Sequence, residues 1–197
     1  MRSFVAALAA LVALPAAAST WQVDPNHTES SFVVKHMMVS NVRGQFGKTT
    51  GTIFQDDKDI TKSRAEITID TTTIDTRVAQ RDAHLKSPDF FDVAKFPTIT
   101  FKSTKITKGE GNTLKAEGDL TIHGVTKPVV LNVEFTPETL AGGKTRRGLT
   151  ATTKVNRKDF GLMWNKAIEA GGVMVGDEAK LTVEMELVKQ DAPTATK

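Results

Sequence analysis

The feature that most constrains this chain is the alternation of apolar and polar residues along long runs. In the runs 129–135 and 181–187, every second residue is Val, Leu, Met or Phe. Successive side chains of a β-strand point to opposite faces, so each run predicts a strand with one wet face and one dry face. The runs are separated by Gly, Asp, Asn and Pro, which is typical of turns. The pattern predicts an all-β chain with strands near 20–24, 31–38, 43–55, 63–75, 97–107, 113–122, 127–136, 146–156 and 179–189.

One segment breaks the strand pattern and predicts a short helix over 77–86. Asp75 can cap its start, and Pro88 follows its end. Residues three or four apart share a helix face, which puts Asp82 beside Leu85 in the apolar stripe. Buried charges persist only when they are partnered, so Asp82 is expected to cap a backbone group or pair with an arginine.

Many long strands with a single helix leave two usual architectures, a two-sheet sandwich or a closed barrel. Closure removes the exposed edges that such long strands would otherwise present, so the strand lengths favour a barrel. The chain has ten phenylalanines, two tryptophans and no tyrosine, which favours an apolar interior. An eight-stranded barrel can hold either packed side chains or one small ligand, and periodicity alone does not distinguish them.

The N-terminus reads as a signal peptide over 1–18, with an apolar run after Arg2 and small residues before the expected cleavage point. No later run is apolar over the length that a membrane span needs, so we expect an exported, soluble domain over 19–189 without stable membrane insertion. The polar end 190–197 is expected to be disordered.

Composition excludes several classes of function. The chain has no cysteine, which removes disulfides, thiolate metal sites and a cysteine nucleophile. The formal charge is +3 and the basic residues are scattered among acidic ones, so nucleic-acid binding is not predicted. The four histidines are far apart and form no His-x-His pair, so no metal site is predicted either.

A series of short motifs spans nearly all of the mature chain, and their order and spacing together are specific. With these motifs the chain resembles the YceI-like family of periplasmic polyisoprenoid-binding proteins. The motifs are Asp24-x-x-His27, Phe32-x-x-Lys35-His36, Gly44-x-Phe46-Gly47, Thr76 with Arg81-Asp82-x-His84-Leu85, Phe90-Phe91, Phe96-Pro97, Gly118-x-Leu120-Thr121-x-x-Gly124, Arg157-x-Asp159-Phe160-Gly161 and Val175-Gly176-Asp177.

The resemblance implies a lipocalin-like eight-stranded antiparallel β-barrel with one short crossing helix. Its elongated pore would hold a polyprenyl chain or an isoprenoid quinone as ligand, with no other cofactor, for transport or storage in the periplasm. A homodimer is consistent with the family. The apolar residues expected to line the pore are Phe32, Val34, Ile67, Ile69, Leu85, Phe91, Phe101, Leu120, Phe135, Phe160, Met163 and Met174.

Three polar residues, His36, Arg81 and His84, admit more than one interpretation. They could bind the polar head of the ligand, or they could act with Asp82 as the acid and base of an enzyme that modifies such a lipid. No nucleophile, zinc-protease or phosphate-loop motif accompanies them. Two further alternatives are a binder of a fatty acid or fatty amide, and an interaction protein with a solid core.

Overall fold

The computed structural model describes residues 18–169 and 171–191. The predicted signal peptide lies outside these ranges except for Ala18, and the predicted tail lies outside them beyond residue 191. The elements are β1 (Ala18–His36), β2 (Ser40–Phe46), β3 (Thr49–Asp56), β4 (Arg64–Asp70), β5 (Ile74–Asp75), α1 (Ala79–Lys86), β6 (Thr98–Lys108), β7 (Thr113–Ile122), β8 (Val125–Phe135), β9 (Thr139–Ala141), β10 (Lys144–Asn156) and β11 (Val175–Lys189), with 3₁₀ turns at Ile60–Lys62, Thr71–Thr73 and Arg157–Phe160.

The strands close into a barrel in which every pairing is antiparallel. Strand β1 pairs with β11 along one edge and with both β2 and β3 along the other. Because β2 and β3 continue each other beside β1, they act as one interrupted strand. The wall therefore has eight positions, taken in order by β1, β2–β3, β4, β6, β7, β8, β10 and β11, which returns to β1. This confirms the predicted barrel.

Strand β1 differs from the prediction of two separate strands at 20–24 and 31–38. It is one strand, and between the pairs Val23–Leu187 and Thr28–Met185 four of its residues stand opposite a single residue of β11. The Asp24 carboxylate accepts a hydrogen bond from the backbone nitrogen of Asn26 at 3.0 Å, and the Asp24 carbonyl accepts one from the Thr28 hydroxyl at 2.7 Å. These local hydrogen bonds pair backbone groups of the extra residues. The segment between the two predicted strands is therefore a bulge within one strand.

The helix also begins later than predicted, at Ala79 instead of residue 77. Arg77 has a φ of 64°, in the left-handed region, and its backbone nitrogen donates to the Asp75 carboxylate at 2.7 Å. The Asp75 side chain therefore closes a turn before the helix and does not cap it. No helix in the described part of the chain is long and apolar enough to cross a bilayer.

The alternation of faces places the dry side of each strand inside the barrel. On β6, Phe101 is 7% exposed and faces the interior, whereas its neighbour Lys102 forms a surface ion pair with Glu66 at 3.2 Å. The same pattern buries Leu120 on β7 and Leu187 on β11. The predicted register is confirmed for these strands, and the inward side chains surround a lumen.

Candidate functional site

The lumen contains a cavity of about 300 Å³. Its wall takes side chains from β1, β2, β4, β6, β7, β8, β10 and β11, and most of them are aliphatic or aromatic. Helix α1 and the segment after it lie across one end. Four lining residues that are only partly buried carry side-chain nitrogens, namely His36, Arg81, His84 and Trp164. We call these four residues the rim.

Most of the residues predicted to bind ligand do line this cavity. They come from four strands, from α1 and from two connections, and the fold brings them around one space. The cavity wall includes Phe32, Val34, His36, Ile67, Ile69, Arg81, His84, Leu85, Phe91, Phe101, Leu120 and Met174.

Three predicted lining residues lie elsewhere. Phe135 faces a second cavity of about 90 Å³ at the other end of the barrel. Phe160 is buried in the 3₁₀ turn Arg157–Phe160 and does not reach the first cavity. Met163 is 61% exposed, and it follows Gly161, which adopts a left-handed φ of 79° at the end of the 3₁₀ turn. Strand periodicity does not apply to Phe160, which belongs to a 3₁₀ turn, or to Met163, which lies in the loop after it.

The helix is tied to the barrel through Thr76, which is buried. The Asp82 carboxylate accepts hydrogen bonds from the Thr76 backbone nitrogen at 2.8 Å and from the Thr76 hydroxyl at 2.5 Å. Arg81 donates from Nε to the same hydroxyl at 2.7 Å and from Nη2 to the Thr76 carbonyl at 2.8 Å. Asp82 therefore caps a backbone group, which is one of the two structural roles predicted for it.

Aromatic rings pack on His84 at the rim. The centroid of its imidazole lies 4.9 Å from that of Trp164 and 5.0 Å from that of Phe90, edge to face in both cases. Its Nε2 is 2.9 Å from the Asp89 carboxylate, which is 56% exposed and does not line the cavity. Sequence reasoning did not single out Trp164, since a lone tryptophan in a loop carries no periodic signal.

Arg157 is a second residue whose role was not predicted, although it belongs to one of the motifs. It is 4% exposed and lines the cavity. Its guanidinium donates to three backbone carbonyls, those of Gly176 at 2.9 Å, Val175 at 3.4 Å and Leu162. Burial lowers its pKa, and the nearby Asp177 carboxylate opposes that shift. Arg157 thereby joins the loop after β10 to the start of β11.

Asp24, His27 and Glu186 form a cluster with the spacing of metal ligands, but Arg146 lies within it. The guanidinium of Arg146 contacts both carboxylates, and its hydrogen bond to Glu186 raises the pKa of Arg146. The hydrogen bond with His27 lowers the pKa of Asp24 and raises the pKa of His27. The positive charge of Arg146 already neutralises these carboxylates. The cluster therefore holds the β1 bulge against β10 and β11.

Comparison with known proteins agrees with this architecture. A family model described as the YceI-like domain matches residues 21–187. A UPF0312 protein of Vibrio cholerae is 40% identical over 162 residues, which cover 79% of this chain and 85% of that protein.

Two solved structures have the same fold. The crystal structure of a Campylobacter jejuni YceI protein superposes with a TM-score of 0.68 at 30% identity, covering 80% of this chain and 90% of that one. A polyisoprenoid binding domain from Saccharophagus degradans superposes with a TM-score of 0.63 at 15% identity, over 86% of this chain and 98% of that domain. At that identity the second match shows the fold alone.

Proposed function

Because the chain belongs to the YceI-like family, we propose that its barrel binds a long apolar isoprenoid lipid in the lumen and carries or stores it. The observation that carries this proposal is the cavity of about 300 Å³, whose wall is almost entirely apolar and whose rim is polar. Each buried CH₂ group contributes about 0.8 kcal/mol, so a long hydrocarbon gains affinity along its whole length. A polar head group would remain at the rim.

The shape and chemistry of the wall favour an isoprenoid over a straight acyl chain. Phe32, Phe46 and Phe91 pack in tilted and edge-to-face pairs with centroids 5.8 Å apart. Flat rings of this kind fit the branched, unsaturated units of an isoprenoid, and the related domain of Saccharophagus degradans is described as polyisoprenoid binding. A fatty acid or fatty amide is the alternative ligand class.

Binding, and not catalysis, is the function that the polar residues support. Among the described residues, Asp82 accepts its hydrogen bonds from Thr76. His84 is paired with Asp89, which lies outside the cavity wall. Neither carboxylate hydrogen-bonds to His36 in the described ranges, so neither orients it as a general base. The rim side chains are instead arranged to meet the head group of a ligand.

Mass spectrometry of an organic extract of the purified protein tests this proposal. We expect an isoprenoid lipid that is retained at high salt, because apolar burial is not screened as charge pairs are. Prolonged incubation should return the lipid chemically unchanged. A bound fatty acid would contradict the ligand class, and a lipid product that disappears in the His36→Ala variant would show that the protein is an enzyme.

We propose in addition that the protein works in the periplasm after removal of residues 1–18. Intact mass of the exported protein tests this, and an uncleaved chain recovered with membranes would contradict it. Light scattering of the same sample distinguishes a homodimer from a monomer.

A further inference from the structure

The first cavity and the smaller second cavity share five lining residues. These are Ile67, Phe101, Leu131, Ala151 and Met185, which come from β4, β6, β8, β10 and β11. Residues from five of the eight wall positions therefore form a ring at which the two cavities meet. We call this ring the waist and the second cavity the distal chamber.

We propose that the distal chamber is a second subsite, which takes the far end of the ligand's hydrocarbon chain, and that the waist sets the chain length the protein prefers. This inference rests on the proposed function, since it assigns a position in the lumen to each end of one bound lipid. The chemical class of ligand at the distal subsite is a terminal apolar chain with no polar group.

Strand β10 shows that the two cavities lie in line. Its alternate residues Arg147 and Leu149 line the distal chamber, Ala151 lies at the waist, and Thr153 and Val155 line the first cavity. From Ala151 to Arg147 the strand advances by about 13 Å. With the usual tilt of barrel strands, the chamber adds on the order of 10 Å of depth beyond the waist.

Small residues lie at and behind the waist. Ala151 is itself the smallest residue of the ring. A methyl group added at Gly118 would lie 2.6 Å from Cζ of Phe101, and one added at Gly51 would lie 2.7 Å from Cδ1 of Ile67. Because the two glycines have no side chain, the side chains of Phe101 and Ile67 lie against the wall of the barrel. The centre of the lumen is then available to a hydrocarbon chain.

The far end of the chamber is closed by Arg147 and Trp21. The guanidinium carbon of Arg147 lies 4.7 Å from the Trp21 ring centroid, and its Nη atoms donate to Gln55 at 3.0 Å and Glu138 at 2.7 Å. Its Nε is buried and has no hydrogen-bond partner among residues 18–169 and 171–191. A hydrocarbon cannot displace this bonded cation, so the chain ends here.

The test compares Ala151→Leu, which narrows the waist, with Thr152→Leu, which adds the same side chain next to it on the opposite face. The probes are farnesol, a short prenol, and solanesol, a long one. We expect Ala151→Leu to weaken solanesol binding at least about tenfold, which corresponds to the loss of roughly two buried methylenes. Farnesol should bind within about twofold of the unmodified protein, and Thr152→Leu should change neither affinity.

Fluorescence gives an independent readout, because the two tryptophans lie at opposite ends of the lumen. Trp164 lines the first cavity and Trp21 lines the distal chamber. In a Trp164→Phe variant, solanesol should shift the Trp21 emission and farnesol should not, and Ala151→Leu should abolish the shift.

The outcomes separate the two proposals. If the unmodified protein binds neither prenol, the proposed function is wrong. If it binds both, and Ala151→Leu weakens the two equally or leaves the Trp21 shift intact, the function stands and the distal subsite is wrong. Melting temperature is measured for each variant, and a variant that melts far below the parent is replaced by Ala151→Val.

Discussion

Replacing Asp82 by Asn should loosen helix α1 and speed the release of ligand. The Asp82 carboxylate receives two hydrogen bonds from Thr76, one from the backbone nitrogen and one from the hydroxyl. Thr76 in turn accepts from Arg81, so three residues form one connected network. Asn keeps an acceptor oxygen at the same place but removes the charge.

The magnitude follows from the kind of bond that is lost. A hydrogen bond to a charged group contributes about 1.5–3 kcal/mol, and one between neutral groups about 0.5–1.5 kcal/mol. Asp82 is only half-buried, so water screens part of this difference, and we expect a loss of about 1–2 kcal/mol for the two bonds together. For a chain of this size that corresponds to a fall in Tm of about 3–6 °C. Asp82→Ala should cost more, because it leaves the buried Thr76 nitrogen without an acceptor.

Thermal unfolding monitored by circular dichroism measures the stability change, and solanesol release monitored by Trp164 fluorescence measures the effect on the cavity. The matched control is Asp89→Asn, which removes a charge from the same segment, where the carboxylate is exposed and, among the described residues, hydrogen-bonds only with His84. It should change Tm by less than about 1 °C. If the two variants prove equally stable, or if Asp82→Asn releases ligand at the parent's rate, Asp82 does not anchor the helix over the cavity.

Two other predictions concern the wall and the β1 bulge. Phe101→Asp places a charge in the lumen and should cost several kcal/mol or abolish solanesol binding, whereas Lys102→Ala, on the outer face, should do neither; a damaging Lys102→Ala would contradict the register. The hydrogen bond with Asp24 raises the pKa of His27, so NMR titration should place it above the ordinary value of about 6.5, and Asp24→Asn should bring it back. Protonated His27 therefore stabilises the fold below that ordinary pKa, and the contribution is lost as pH rises through the raised pKa.

The barrel and most of its lining could be predicted because side chains alternate between the two faces of a strand. This alternation is visible in the sequence as a repeat of apolar residues at every second position. Once β6 is a strand, the facing of Phe101 and Lys102 follows from their being adjacent. The same holds for Leu120 on β7. The inward-facing residues of each strand can therefore be predicted from that strand alone. Closure into eight strands followed from the lengths of the runs and from the family resemblance.

What could not be predicted depends on contacts between distant residues. The start of α1 is set by the left-handed turn at Arg77, and the continuity of β1 through its bulge is set by the bonds of Asp24 and by pairing with β11. The waist is also a property of several strands, because the position of the Phe101 ring depends on the absence of a side chain at Gly118 on β7. The apolar pattern of one strand does not show which side chains of the neighbouring strand lie beside it in the barrel.

The polar residues around the rim bear on what the protein can recognise. Arg157 donates to backbone carbonyls, Arg81 donates to Thr76, and Asp82 accepts from Thr76. These side chains fix the loops and the helix that frame the cavity. This leaves four lining groups without a side-chain hydrogen bond in the described ranges to meet a head group, namely Lys35, His36, Nη1 of Arg81 and Nε1 of Trp164. A site with so few polar contacts distinguishes head groups weakly. Discrimination among lipids must therefore come from the length and shape of the chain that the apolar lumen accepts.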